Sequence, residues 1–363
     1  MIGTTDSGKP KYKILPWEYT YCEKTSEGWK GFTGDPPARL VSSDLECRSG
    51  RVVSFTPIPC GKCLGCRLDY AKQWSARLLC EFQEHDPDTC WFLTLTYRDE
   101  AFGPSGDKRK DVEFARNCDT CGRCSGFRLA IGANSLGEAV QWPSLCPRDS
   151  ELFWKRLRKA FPGCKISYFL VGEYGDRTGR PHLHAIVYGL PLDTSNLIPY
   201  QVSELGDLTY KCQMLDDIWK NGFVVVGKVT LESCAYVARY CMKKIYKDGD
   251  DYSNRVPEFV RMSRRPGLGR TWLEKHPEVF EVSQFSLPSR NGSNIFCHPR
   301  YFLKYLEQSD PERYAEIKAD RAVAGRLAYE NLINNDSRDY LSILRAKELD
   351  LQSRCATMKR KVD

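Results

Sequence analysis

Residues 166–189, ISYFLVGEYGDRTGRPHLHAIVYG, constrain this chain more than any other stretch. Two apolar runs of strand length flank the turn signal Gly175-Asp176-Arg177-Thr178-Gly179, which predicts a β-hairpin. Side chains at i and i+2 of a strand point to the same face, so His182 and His184 project together while Leu183 enters the core behind them. Glu173 closes the first run, and the turn brings its carboxylate beside the two imidazoles. His182, His184 and Glu173 thereby form a candidate metal clamp with open positions for oxygen ligands. That donor set suits Mn²⁺ and tolerates Mg²⁺, although imidazole matches Mg²⁺ less well. The competing reading is two histidines hydrogen-bonded within a sheet, the commoner fate of an isolated His-x-His.

About fifty residues later, YVARYCMKK places Tyr236, Tyr240, Lys243 and Lys244 at steps of 4, 3 and 1, one face of a 3.6-residue helix. Tyrosines at i and i+4 on an amphipathic helix more often cover a core, and spacing alone favours that role. Their position after a metal motif, with lysines on the same face, favours chemistry instead. A tyrosine with its ordinary pKa of about 10 needs help to attack, and Lys243 or Lys244 could stabilise a phenolate or a phosphate.

Several segments in order resemble the HUH endonucleases, the rolling-circle replication initiators and relaxases, and in detail the replication initiators of gokushovirus-type microviruses. WFLTLTY (Trp91 to Tyr97) resembles that family's first motif, RPHLHAIVYG (Arg180 to Gly189) its metal motif and YVARYCMKK its nucleophile motif. PCGKCLGCRLDYAKQWSARL (Pro59 to Leu78) and EFVRMSRRPGLG (Glu258 to Gly269) look like segments that recur in the phage initiators. The resemblance implies an α+β, HUH-endonuclease-like fold: a central antiparallel sheet flanked by helices, here with a Cys-rich insertion and a helical C-terminal extension. It implies a metal-dependent endonuclease and strand transferase that nicks and rejoins one strand at a phage origin, through a covalent 5′-phosphotyrosine on Tyr240 and Tyr236. Its partners would be single-stranded or supercoiled phage origin DNA, a host helicase and a DNA polymerase, in the cytoplasm of the infected bacterium. No G-x-x-x-x-G-K-[ST] phosphate loop is present, hence the expected reliance on supercoiling or host machinery to open the duplex. The alternatives are a zinc-stabilised DNA-binding protein that does not cleave, and an HUH transposase or plasmid relaxase. Plasmid relaxases usually carry three clustered histidines, where this chain has His-x-His.

Composition agrees with a soluble DNA-handling protein. The net charge of +7 favours a polyanionic partner without proving one. Arg261, Arg264, Arg265 and Arg270 concentrate charge among glycines that let backbone amides approach, so this basic loop is a candidate DNA contact, with a solvated loop as the bland alternative. No apolar stretch nears the roughly 18 residues of a membrane helix, and the first residues lack a signal peptide's apolar run, so no membrane partner is expected.

The 17 cysteines, an odd number clustered as C-x-x-C, point to thiols and metal ligation rather than a disulfide framework. Cys60, Cys63 and Cys66 form C-x-x-C-x-x-C, and Cys118, Cys121 and Cys124 repeat it. A closed structural Zn²⁺ site needs four ligands, so each run wants one more: Cys47 or Cys80 for the first, Cys146 for the second, unless the runs meet. Unmetallated buried thiols are the alternative.

Along the chain, residues 1–90 read as an N-terminal region with the first Cys cluster and an amphipathic helix over Arg67–Phe82. Residues 91–250 read as the nuclease core, with an insertion at 101–150, and 251–363 as the basic loop and helical extension. Within the core, WFLTLTY is a strand with Phe92, Thr94 and Thr96 on one face. Both threonines read as ordinary strand residues, with flooring the site or touching DNA as the alternative. A helix is expected over Glu151–Ala160, capped by Ser150, and GFVVVGKVT is a strand. YLSILRAKELDLQ (Tyr340 to Gln352) is the clearest amphipathic part of the extension.

Overall fold

Alternating burial along WFLTLTY sets the geometry of the molecule: Trp91, Leu93, Leu95 and Tyr97 are fully buried, while Phe92, Thr94 and Thr96 are partly covered on the opposite side. In the computed structural model this run is a central strand. The structure describes residues 3–4, 10–11, 21–25, 28–32, 64–97, 128–133, 139–175, 179–202, 206–230, 233–235, 237–238, 256–289, 292–338 and 340–359. Two compact units divide the chain, residues 1–60 and 61–363.

The first unit contains two antiparallel strand pairs, β1 (Gly3–Thr4) with β2 (Pro10–Lys11) and β3 (Tyr21–Thr25) with β4 (Gly28–Phe32). The second begins with helix α1 (Leu64–Gln83) and strand β5 (Trp91–Tyr97). A hairpin, β6 (Arg128–Ala133) and β7 (Ala139–Ser144), precedes α2 (Pro147–Ala160). Then come β8 (Ser167–Tyr174), β9 (Pro181–Tyr188), β10 (Ile198–Val202), β11 (Leu208–Lys211), α3 (Gln213–Trp219) and β12 (Gly222–Lys228). Residues 233–235 and 237–238 are helical. Strand β13 (Phe259–Met262), helix α4 (Arg270–Lys275) and the hairpin β14 (Gln284–Ser289) and β15 (Gly292–Cys297) follow. Three helices complete the described chain: α5 (Arg300–Ser309), α6 (Pro311–Asn334) and α7 (Tyr340–Lys359). No helix among the described residues is long and apolar enough to cross a membrane.

Seven strands form one antiparallel sheet in the order β10-β11-β12-β5-β9-β8-β13, flanked by helices, which is the α+β layer expected. Its two faces carry separate cores. On the front, Phe169, Val171, Ile186 and Tyr188 pack with Trp74, Leu78 and Leu79 of α1, Trp272 and Leu273 of α4, and Phe302 of α5. Cys234, Val237 and Ala238 are buried in this same front core. On the back, Leu93, Leu95, Leu183, Ala185 and Val187 meet Phe153, Trp154 and Leu157 of α2 and Leu215, Ile218 and Trp219 of α3.

Several local expectations are corrected. Helix α2 starts at Pro147 rather than Glu151, because proline in the first turn gives up no needed N–H; Ser150 is no cap, its hydroxyl donating to the Pro147 carbonyl at 2.6 Å. Helix α1 starts at Leu64, so Cys66 lies inside its first turn. The basic segment starts as an edge strand, not a loop, since Phe259, Val260 and Met262 suit a pleated, half-buried surface. Strands β10 and β11, which no periodicity announces, extend the sheet; β10 is exposed throughout and so lacks a buried alternation. In α7 only the start of the amphipathic pattern is used: Ile343 is buried, whereas Leu344 and Leu349 are exposed.

Two side chains of α1 clamp the turn after β13. The Arg77 guanidinium lies between the rings of Trp74 and Tyr301, 4.1 and 3.9 Å from their centroids, and donates to the Leu268 carbonyl at 3.1 Å. Burial lowers its pKa to about 10, against the pull of Tyr301 and other neighbours. Glu81 accepts the Gly269 amide at 2.8 Å, and Gly269 has φ 76°, a left-handed conformation that favours glycine. Replacing Arg77 with Met removes two ring contacts and one hydrogen bond, and we expect chemical denaturation to report a loss of about 2–4 kcal/mol. A loss below about 0.5 kcal/mol would mean the clamp contributes nothing.

Candidate metal centre

Strand register brings the three expected ligands together. β8 and β9 pair so that Glu173 stands opposite His182 and Val171 opposite His184, which puts both imidazoles and the carboxylate on the front face. Leu183 is fully buried on the back, as its alternation requires. Glu173 Oε1 lies 2.8 Å from His182 Nε2 and 3.0 Å from His184 Nε2. Glu173 and His184 are buried, at 2% and 5% exposure, while His182 is partly open, so solvent and ligands reach the cluster from the His182 side.

The other ring nitrogens are held by groups that the motifs alone did not assign. His182 Nδ1 donates to the Arg180 carbonyl at 3.1 Å. His184 Nδ1 and Thr94 Oγ1 share a hydrogen bond at 3.1 Å, and the Phe92 ring stacks on His184 at 5.7 Å, within 10° of parallel. Thr94 is therefore not an ordinary strand residue: β5 pairs with β9 so that Thr94 faces His184 and Thr96 faces His182. The alternation of WFLTLTY put Phe92 and Thr94 on one face, but nothing in it named the neighbouring strand.

These contacts leave both Nε2 atoms aimed at one carboxylate oxygen. A proton can bridge each pair, and a divalent cation would take the place of those protons. Glu173 Oε2 is buried without a hydrogen-bond partner, a deficit that a cation would relieve. Among the described residues this is the one group of three whose ligand atoms all lie within 4.8 Å of one another. The donor set fits a divalent metal, with outer hydrogen bonds fixing each ring.

Burial works to raise the Glu173 carboxyl, but hydrogen bonds and charge from His182 and His184 outweigh it and hold the pKa below the ordinary carboxylate value. Burial also lowers the His184 pKa below 6.5, opposed in part by Glu173. His184 is thus neutral near pH 7, the form that ligates a metal.

Tyr236, Tyr240, Lys243 and Lys244 lie outside the described residues, as do Cys60, Cys63, Cys118, Cys121 and Cys124. Cys66 is partly buried. Cys80 cannot complete a site with it: fourteen residues along one helix separate them by about 21 Å, whereas thiolates on one zinc lie within about 4 Å of each other. Cys80 is instead a fully buried core residue. Cys146, proposed for the second run, is buried at the start of α2. Two of the four arginines are ion-paired. Arg261 sits 3.3 Å from Glu151, and Arg270 sits 2.6 Å from Glu274 with its guanidinium over Tyr305 at 3.9 Å. Arg264 and Arg265 are exposed. The amide of Gly269, one of the glycines among these arginines, donates to Glu81.

An antiparallel sheet whose front presents a buried carboxylate and two fixed imidazoles, beside a packed helical segment, defines a candidate metal-binding α+β protein. A family model for replication-associated proteins of the ORF2 type matches residues 136–245, the stretch that holds all three ligands. The chain is 30% identical over 307 residues to the replication-associated protein VP4 of Bdellovibrio phage phiMH2K, covering 82% of this chain and 81% of that protein. It is 30% identical over 293 residues to the replication-associated protein ORF2 of Spiroplasma virus 4 (79% and 80%), and 28% identical over 267 residues to the replication-associated protein ORF4 of Chlamydia phage 1 (70% and 56%). No solved structure matches the chain. The chain belongs to the replication-associated proteins of gokushovirus-like microviruses.

Replacing Thr94 with Val should weaken Mn²⁺ binding about tenfold, measured by calorimetry, with the melting temperature little changed. Unaltered affinity would reduce Thr94 to packing. Because the folded pKa of His184 is depressed, its stabilising share is complete above pH 6.5 and is lost as pH falls through the folded value. The melting temperature without added metal should therefore drop as pH falls below about 6.5, and His184→Gln should flatten that drop.

Proposed function

We propose that this protein initiates rolling-circle replication by nicking and rejoining one strand of phage origin DNA as a metal-dependent HUH endonuclease. The observation that carries this reading is the convergence of His182 Nε2 and His184 Nε2 on Glu173 Oε1, on the face where Cys234, Val237 and Ala238 pack. Membership of a family of phage replication-associated proteins supports it. Glu173, His182 and His184 would hold Mg²⁺ or Mn²⁺, which when bound neutralises charge on the non-bridging oxygens of a phosphate.

Tyr240, with Tyr236 as the second nucleophile, attacks phosphorus through its phenolic oxygen. A Tyr–O–P bond forms, the P–O3′ bond breaks, and the phenolic proton is finally balanced on the departing 3′-oxygen as a free 3′-OH. Lys243 and Lys244 stabilise the phenolate and the phosphate. The 5′-phosphotyrosine conserves the energy of the broken bond, so joining is the reverse attack by a 3′-OH. A host DNA polymerase extends the 3′ end and a host helicase opens the duplex, in the cytoplasm of the infected bacterium. Arg264 and Arg265, exposed on the clamped turn, contact DNA phosphates, and Arg261 and Arg270 anchor the segment that carries them. The two C-x-x-C-x-x-C runs hold structural Zn²⁺, which metal analysis of reduced protein would detect.

A single-stranded origin oligonucleotide, labelled 3′ of the cut and incubated with Mn²⁺, should become covalently attached to the protein. Tyr240→Phe should reduce the adduct at least about tenfold, and the Tyr236→Phe/Tyr240→Phe double variant and a chelator should abolish it. An undiminished adduct in the double variant would refute the nucleophile assignment. Salt-sensitive DNA binding with no adduct in the unaltered protein would favour a non-catalytic DNA-binding protein.

A further inference from the structure

We propose that the outer stripe of α2, together with Arg261 of β13, binds the phosphate backbone of double-stranded DNA on the side of the sheet opposite the Glu173–His182–His184 cluster. Helix α2 buries Phe153, Trp154 and Leu157 against the back core, which turns Arg148, Glu151, Lys155, Arg158 and Lys159 outward along steps of three and four. Arg261 joins this stripe from β13. It stands opposite Leu170, a back-core residue, and its guanidinium lies 3.3 Å from Glu151. Arg158 sits 5.7 Å from the Tyr168 ring centroid. Burial raises the Tyr168 phenol above its ordinary pKa, opposed by the positive charges of Arg158, Arg261 and Arg264. Arg148, Lys155, Arg158, Lys159 and Arg261 thus share a surface on which α2 contributes one outward carboxylate, Glu151. The other acid of α2, Asp149, is buried and accepts from the Tyr97 hydroxyl at 3.0 Å.

The chemistry of this surface selects a duplex backbone. Single-stranded nucleic acid is held chiefly by bases stacked on exposed rings. Here Trp154 is 2% exposed, Tyr168 stacks on it at 3.9 Å, and Arg158 lies over Tyr168, so neither ring is offered to a base. What remains is a rigid row of cations about 16 Å long from Arg148 to Lys159, suited to successive phosphates of a stiff double helix. In the proposed nicking reaction, duplex flanking the origin would be held at the back while a single strand enters the front. Only that consequence rests on the nuclease reading; the binding surface does not.

The test measures full-length protein binding to a short labelled duplex without origin sequence, by fluorescence anisotropy between about 50 and 200 mM salt. Lys155→Glu/Arg158→Glu should weaken binding about tenfold or more and make the slope of log affinity against log salt shallower by about 2. Cleavage of a short single-stranded origin oligonucleotide with Mn²⁺ should remain unchanged in this variant. Glu151→Gln, which removes the carboxylate and frees Arg261, should tighten duplex binding about two- to threefold, a gain that a misfolded variant cannot give. Unchanged duplex affinity and slope in both variants would overturn the proposal. An equal loss of affinity for a single-stranded oligonucleotide or for polyglutamate would overturn it too, by showing a general polyanion surface. Should the unaltered protein fail to cleave the oligonucleotide, the nuclease reading falls while the duplex measurements still decide this one.

Discussion

The cross-strand pairing of Glu173 with His182 governs the rest of the molecule's chemistry. A sheet has a side-chain period of two, so a slip of one residue between β8 and β9 would send the carboxylate to the back core and leave the imidazoles facing no acid. The register is held because the same alternation buries Leu183, Ala185 and Val187 on the back and Ile186 and Tyr188 on the front. Apolar burial of several residues, at about 1.5–3 kcal/mol each, thus enforces the approach of three polar groups that would otherwise resist leaving water.

The two faces of the sheet have divergent roles because their coverings differ. Helices α1, α4 and α5 cover the part of the front beside β8 and β9, leaving His182 partly open at the margin. Helices α2 and α3 seal the back, where three aromatics place their polar tips on partners: Trp91 Nε1 donates to the Leu190 carbonyl, Trp219 Nε1 to the Thr96 carbonyl and the Tyr97 hydroxyl to Asp149. The back is therefore a closed core with a charged outer skin. The front carries the Glu173–His182–His184 cluster, with His182 partly exposed.

Some features were readable because they follow short-range periodicity. The hairpin turn, the shared face of His182 and His184, the strand WFLTLTY and the apolar stripe of α2 depend on residues two to four positions apart, which backbone geometry fixes. Boundaries were less readable: Pro147 and Leu64 start their helices earlier than the apolar pattern does, since a first turn needs no buried residue. The exposed edge strand β10 gave no signal, because it buries no side chain and is held to β11 chiefly by backbone pairing. Arg261 and Arg270 read as free cations, and only the fold reveals Glu151 and Glu274 beside them.

Local spacing and composition were enough to establish which residue types can ligate a metal, their common strand face, the likeness to phage initiators and the α+β class. Long-range packing had to settle that Thr94 and Phe92 orient His184, that Cys80 is a core residue remote from Cys66, and that Arg261 turns to the back of the sheet. Those outcomes depend on which distant segments become neighbours. That choice is made by summed burial over the whole core, which no window of sequence contains.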